Sequence, residues 1–577
     1  MKKLLLLFVF SFIYLSVYGQ WVWNNPLQAG FPVIQNQGWT EETGQSYSRF
    51  PDRARNTVRK EVWELSENSA GLAIHFYSNA PEIEVRYQVK GALQMQHMPA
   101  TGVSGVDLYA INSDGEWNVC AGTFSFGDTI QYRFESLTKD QYHDYGYEYR
   151  LYLPLYNTVR WLEIGVPQGS LFEFIPVSPE KPVLLYGTSI AQGGCVSRAG
   201  MAWATILQRS LDYPLINAGF SGNGRLEPEV LDLITEIEAR LYILDCLPNL
   251  TQENEEEIYH RIVQAVKQIR NKQAAPILLI EHLGYSNMGT HSLYAASVEK
   301  VNKASKRAYE TLRQEGIPAL YYLTREELAI PADGWVDHIH PNEWGMQAQA
   351  RAVEKKAREI LHIPVGTIST TRPVTQRREP HNYEWLKRHR EELEYNPAHP
   401  PRAVIIGNSI THFWGGEPAG PRSSGSQSWE QYMRPHGFNN LGYGWDRIEN
   451  VLWRIYHDEL LGYTPERIIS MIGTNNLGLN TDEEIVEGLR FLLAAIRDRQ
   501  PSAEIQVVGI LPRRDQEQWA KNINQQIRKM AESEGYLFTD AGHVFLQEDG
   551  TLNESLFSDG LHPNEEGYLR LAPLIVQ

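Results

Sequence analysis

The chain has 577 residues, too many for one hydrophobic core, and its 42% apolar and 21% charged residues describe a folded, multidomain protein rather than a disordered one. With 53 basic against 70 acidic side chains the formal charge is −17. That balance excludes nucleic acid and anionic membrane surfaces as expected partners, since both need a basic face to displace counterions.

Residues 1–19 set two lysines ahead of the apolar run Leu4–Val17. The run is shorter than the roughly 20 residues that span a bilayer, so it reads as a secretory signal peptide with no lipid-attachment cysteine behind it. The expected location is the periplasm or the exterior, without membrane insertion. Three cysteines (Cys120, Cys195, Cys246) cannot make a disulfide scaffold. A Cys195–Cys246 bridge and two buried thiols are both open.

From 20 to 175 the chain alternates in period two, as in residues 72–78, 82–89, 149–156 and 159–166, between Gly, Asn, Asp and Pro breaks. This predicts a β-sandwich or jelly-roll, whose aromatics serve either as core or as a sugar-binding face. At Pro182 the pattern becomes strand–helix–strand: residues 183–186, a helix over 202–211, strands at 241–245 and 276–281, and a helix between them. Such alternation means a parallel sheet covered on both faces, closing near residue 363. Residues 364–398 read as a Thr/Pro/Arg-rich linker and a connecting helix. Strands at 403–410, 467–473 and 505–511 then begin a second α/β domain, 399–577.

The two α/β segments repeat each other. GTS at 187–189 matches GNS at 407–409, NAGFSGNGR at 217–225 matches NLGYGWDR at 440–447, LPNL at 247–250 matches GTNN at 473–476, and DHIHPNE at 337–343 matches DGLHPNE at 559–565. A serine between a strand and a helix exposes its hydroxyl at the carboxyl edge of the sheet, where open α/β folds bind ligands. That hydroxyl becomes a useful nucleophile when a neutral imidazole takes its proton, and the imidazole needs a carboxylate on its other nitrogen. Asp-x-x-His delivers both on one loop. The Gly-rich turn and the Asn offer donors to the oxyanion of a tetrahedral intermediate. A metal at Asp337, His338 and His340 is not expected, because Gly560 stands where His338 would repeat. No cofactor is expected.

Both copies resemble the SGNH hydrolases, or GDSL-family esterases, whose four blocks are Gly-Asp-Ser, a Gly, Gly-x-Asn-Asp and Asp-x-x-His. The resemblance implies two tandem flavodoxin-like hydrolase domains behind the β-domain. It makes Ser189, Asp337 and His340 one triad, with Gly222 and Asn249 as oxyanion donors, and Ser409, Asp559 and His562 the other, with Asn475 as amide donor. Trp445 falls where the family's oxyanion glycine would stand; its backbone N–H can donate as well as a glycine's provided its φ and ψ are ordinary ones, and Gly444 is the other candidate for that copy's backbone donor. The nucleophiles do not lie in the Gly-x-Ser-x-Gly of α/β-hydrolases, since Ala191 and Thr411 occupy the last place. Trp414 and Tyr443 are candidate aromatic walls for a sugar ring, or else pack a Gly/Pro/Ser-rich loop expected to overhang the second site.

The GWDRIENVLWRI segment is similar to acetylhydrolases of the platelet-activating-factor type, and the whole resembles the carbohydrate esterases of Bacteroidetes. The resemblance implies a secreted acetylesterase acting on acetylated polysaccharide or oligosaccharide, with xylan or pectin as leading substrates. Two other readings stay open: an esterase or lipase on other short-chain or feruloyl esters, and a glycan-binding protein with an inactive half.

Overall fold

The computed structural model describes residues 20–576 except 141, 143, 144 and 379–382. The segment read as a signal peptide therefore lies outside the described residues. Among those described, no helix is long and apolar enough to cross a membrane.

The N-terminal part is a pair of packed antiparallel sheets. One runs in the order Trp21–Asn24, Val159–Pro167, Ile83–Val89, Ile130–Phe134 and Thr123–Ser125, the other Phe172–Phe174, Ala73–Ser78, Tyr147–Tyr152, Asp107–Ile111 and Trp117–Cys120. The alternating pattern has its physical purpose here: Ile83, Val85 and Tyr87 of one sheet are buried with Ile74, Phe76 and Leu151 of the other, while Glu84 and Arg86 are not.

Each α/β segment has a five-stranded parallel sheet with the second strand at the edge, then the first, third, fourth and fifth. In the first copy these are Leu215–Gly219, Val183–Gly187, Leu241–Asp245, Ile277–Ile280 and Leu320–Leu323; in the second, Phe438–Gly442, Ala403–Gly407, Arg467–Met471, Glu504–Val508 and Leu537–Thr539. The central strands are buried on both faces, which is why they read as continuous apolar runs. The order reverses between the first and third strands, and at that switch point the serines stand.

The stretch read as a linker is packed. Thr370, Thr371, Thr375, Gln376 and Arg377 are buried, and Arg377 pairs with Glu148 of the β-domain. Its helix runs Trp385–Ala398. Glu148 also takes Arg150 at 2.7 Å, and Arg150 reaches Asp212 of the first α/β copy at 2.7 Å. Asp212 in turn accepts the Trp453 indole N–H of the second copy at 3.0 Å. Burial would raise the Glu148 carboxyl, but the two guanidinium groups outweigh it and hold it down at about 2. The linker's polar composition thus served a buried ionic joint.

Asp245 ends the third strand of the first copy, beside Gly187, where the second copy has Met471 beside Gly407. Burial pushes its carboxyl up to about 8. The folded protein therefore holds a proton that the unfolded chain releases near its ordinary value of about 4, and stability contributed by the neutral acid is lost as pH rises between the two. Asp245→Asn should flatten this decline, with melting temperatures of variant and wild type diverging in the variant's favour from pH 5 to pH 8.

Candidate active sites

Each serine begins a helical turn directly after the first strand of its sheet. Thr188 and Asn408 sit at the N-cap, their side-chain oxygens accepting from Ile190 N–H at 3.3 Å and Ile410 N–H at 3.0 Å. This is why a capping residue suffices at the block's second position. Ser189 and Ser409 then occupy the first helical position, where the backbone N–H has no intrahelical acceptor. The glycine before them is required by close approach: a Cβ at Gly187 would meet Ala191 at 2.5 Å, and one at Gly407 would meet Thr411 Oγ1 at 2.1 Å.

The Asp-x-x-His segments arrive from about 150 residues away. His340 Nε2 lies 3.0 Å from Ser189 Oγ and its Nδ1 2.9 Å from Asp337 Oδ2. His562 Nε2 lies 2.8 Å from Ser409 Oγ and its Nδ1 2.7 Å from Asp559 Oδ2. The other carboxylate oxygen takes two backbone amides, Ile339 and His340 at 2.7 Å each in one copy, Leu561 at 3.0 Å and His562 at 2.8 Å in the other. Burial would raise both carboxyls, yet the bonds from ring and backbone leave each below its ordinary value.

The rest of DxxHPNE fixes this loop. Val336 N–H donates to His340 O and Ser558 N–H to His562 O, both at 2.9 Å. Asn342 caps the following helix, Glu343–Leu361, through Trp344 N–H, and Asn564 accepts from Gly567 N–H. Glu343 accepts from Ser197 N–H at 2.8 Å and Glu565 from Ser428 N–H at 2.9 Å, tying the histidine's loop to the chain that follows the serine.

The donor turns also superpose in register. Ser221 N–H donates to Gln192 at 3.0 Å and Gly444 N–H to His412 Nδ1 at 3.1 Å. Gly444 is therefore corrected as an oxyanion donor, because its amide is committed. The next residues, Gly222 and Trp445, share the left-handed conformation with φ of 70° and 64°. Among the described residues neither of their backbone N–H groups has a protein acceptor. A side chain in that conformation costs about 1–2 kcal/mol; a Cβ at Gly222 would meet nothing within 4 Å, and the Trp445 side chain is exposed. With the Asn249 carboxamide placed so that its oxygen accepts from Asn223 and Gly224 N–H at 3.0 Å, its NH2 is left for another acceptor. Asn475 uses one amide hydrogen on Asp446 O at 3.0 Å.

Trp414 and Tyr443 are not aromatic walls. Both are fully buried, Trp414 stacked on Tyr568 and bonded to Ser428, Tyr443 between Arg388 and Arg454. Their position just behind the site made them attractive; their neighbours make them core. The exposed aromatic at the second site is Trp445, 39% accessible. Cys195 and Cys246 are free thiols.

Sequence reasoning passed over what the β-domain brings to the first site. Tyr156 donates to Ser189 O at 3.1 Å, and the His97 ring faces that of His340 at 5.9 Å. Together with Glu64, Met95 and Cys195 these residues line a cleft of about 510 Å³ opening at His340. His97, Cys195, Asp337 and His340 bring donor atoms within 4.8 Å of one another, a different set from the Asp337, His338 and His340 group at which the sequence gave no reason to expect a metal. His338 instead stacks on Tyr294. The stretch Gly105–Tyr109 was the available signal: Asp107 accepts from Gly200 N–H at 2.9 Å, and a Cβ at Gly200 would strike both Asp107 and Tyr109.

A hydroxyl, an imidazole and a carboxylate in line, at the carboxyl edge of a parallel sheet, define a class: hydrolases that act through an activated serine. Known proteins carry this further. Residues 180–358 and 405–570 each match the GDSL-like lipase/acylhydrolase family, together more than half of the chain, and residues 21–172 match the N-terminus of SGNH-hydrolase-type esterases, a pattern labelled GxDLY that Gly105–Tyr109 spells out. The chain belongs to the GDSL-like lipase/acylhydrolase family and is a carboxylic ester hydrolase. Platelet-activating factor acetylhydrolase IB subunit alpha1 of Homo sapiens is 28% identical over 189 residues, covering 32% of this chain and 78% of that protein. The alpha2 subunit of Homo sapiens is 29% identical over 195 residues, covering 32% and 80%. A solved structure described as a GDSL-like lipase from Bacteroides ovatus is 29% identical, with a TM-score of 0.55, and covers 60% of this chain and 100% of that one.

Arg49 of the β-domain is buried with no carboxylate partner among the described residues, donating to Asn217 O and Gly219 O at the end of the strand that leads into the Gly222 turn. Burial lowers its guanidinium to about 9. Arg49→Met should cost about 3 kcal/mol, as lost charge-assisted hydrogen bonds leave carbonyls unpaired. Chemical denaturation reads the loss, and ester turnover in a Ser409→Ala background should fall with it.

Proposed function

We propose that both sites work, and that the enzyme removes acetyl groups from plant polysaccharide such as xylan or pectin. The observation that carries this reading is the serine-to-imidazole-to-carboxylate contact made twice, each step within 3.0 Å. In this scheme Ser189 or Ser409 Oγ attacks the ester carbonyl while His340 or His562 Nε2 takes its proton, and Asp337 or Asp559 holds the imidazole in the required tautomer. The tetrahedral oxyanion lies among the Ser189, Gly222 and Asn249 N–H groups in one site and those of Ser409, Trp445 and Asn475 in the other. The imidazolium then protonates the departing sugar oxygen, and water resolves the acetyl-enzyme by the same route.

Acetyl is favoured as the acyl group by the name of the acetylhydrolase relatives, and a polymer by the cleft the β-domain adds to the first site and by the exposed Trp445 at the second. An address outside the cytoplasm, read from residues 1–19, agrees with such a substrate.

Ser189→Ala and Ser409→Ala should each remove one site's share of 4-nitrophenyl acetate hydrolysis, and the double variant should lose about 10³-fold or more. An unimpaired double variant sinks the scheme. Acetate released from acetylated xylan and pectin identifies the polymer. With the other serine removed, Asn249→Ala and Asn475→Ala should each cost about 10²–10³ in kcat; a change confined to KM would take these amides out of the oxyanion hole.

A further inference from the structure

The two sites share their reacting groups and differ in what flanks them. The loop after the fourth strand shows this in strict register. His282 N–H donates to Asn302 Oδ1 and Ile510 N–H to Asn524 Oδ1, both at 2.8 Å; Ser286 N–H donates to His338 O at 3.2 Å and Arg514 N–H to Gly560 O at 2.9 Å. Between these fixed points Tyr285 and Arg513 hold the same place. In the first site Tyr285 belongs to an aromatic group, 4.9 Å from the Tyr294 ring and 6.0 Å from that of His338. In the second site Gly560 replaces His338, and Arg513 lies between the Asn475 turn, where it donates to Thr474 O at 3.3 Å, and the Asp559–His562 loop.

The guanidinium of Arg513 has no carboxylate within 4 Å among the described residues, whereas neighbouring Arg514 is spent on Glu554, and Arg378, near Trp445, on Asp114. Arg422, exposed on the overhanging loop and likewise without a carboxylate among the described residues, lies 3.8 Å over the Phe413 ring, whose centroid is 5.3 Å from that of the His562 ring. Two guanidinium groups without a carboxylate among the described residues thus lie on segments that border the second site, one through the Thr474 carbonyl and one through the Phe413 ring, in a protein whose net charge is −17. Arg513 is half-buried, and an arginine in that setting without a counter-ion is a ready partner for a planar anion; the exposed Arg422 can add a second charge.

We infer that the second site carries a carboxylate-binding subsite, formed by Arg513 and Arg422, and takes esters borne on acidic sugar residues, uronates, while the first site with its aromatic flank takes neutral ones. The inference rests on the esterase reading above. It is tested with full-length Ser189→Ala, which leaves the second site, and Ser409→Ala, which leaves the first. The substrates are acetylated polygalacturonate and the same polymer with its carboxylates methyl-esterified.

The second site should favour the acidic polymer in kcat/KM by about tenfold, the factor that one charge-assisted bond of about 1.4 kcal/mol supplies. The preference should lie in KM and shrink with added salt; the first site should show none. Arg513→Leu in the Ser189→Ala background should bring the ratio to about one, and Arg513→Lys should restore part of it. Equal use of both polymers by the second site, or an equal loss on both from Arg513→Leu, overturns the subsite. If Ser189→Ala hydrolyses no ester, including 4-nitrophenyl acetate, the esterase reading fails for that half. Calorimetry then decides the subsite alone: the double Ser→Ala chain should bind trigalacturonate, and Arg513→Leu should abolish that binding while leaving any binding of xylotriose unchanged. Absence of trigalacturonate binding refutes it.

Discussion

The chemistry proposed at both serines depends on a carboxylate whose two oxygens do different work. One is held by two backbone amides of its own turn, the other by the imidazole. Because the amides come from the residues at and just before the histidine, the carboxylate and ring move as one rigid piece. The imidazole therefore reaches Oγ with its tautomer already chosen. Glu343 and Glu565 extend the constraint to the segment after each serine, so the short DxxHPNE run sets the gap between two parts of the chain that only tertiary folding brings together.

That constraint is local, and the sites it creates are finished by remote parts of the molecule. At the first, the β-domain supplies Tyr156, His97 and the carbonyl-gripping Arg49. A buried guanidinium bonded only to carbonyls is costly to desolvate, and its hydrogen bonds must be complete for the interface to hold. The same logic governs the joint among Arg377, Glu148, Arg150 and Asp212, where β-domain, connecting segment and first α/β copy meet. The second copy is tied in by the Trp453 indole on Asp212.

Duplication lets the two copies be read against each other. Positions at which they agree in backbone conformation despite different side chains mark geometry that the site needs. Gly222 and Trp445 are the sharpest case, since the tryptophan keeps a left-handed conformation that costs it energy. Places where backbone bonds agree and side chains change character, such as Tyr285 and Arg513, mark the freedom left for specificity. Asp245 opposite Met471 is a third kind, in which a buried acid made neutral by its surroundings stands where the other copy has an apolar residue.

The sequence by itself determined the two parallel sheets, the antiparallel sandwich and the pairing of Ser189 with His340 and of Ser409 with His562. Strand burial, capping and the Asp-x-x-His turn are short-range properties that leave a periodic or spaced trace. It misjudged Trp414 and Tyr443, because nearness to a motif along the chain does not say on which side of the sheet a ring points. Gly444 was misplaced for a related reason: its amide is claimed by His412, 32 residues earlier, and backbone hydrogen bonds write nothing into composition. The linker's polarity was visible, but its partners on three other segments were not. Only the tertiary structure decided which domain walls each serine and which arginines are left without a counter-ion, since burial and charge pairing depend on what long-range packing brings within a few ångströms.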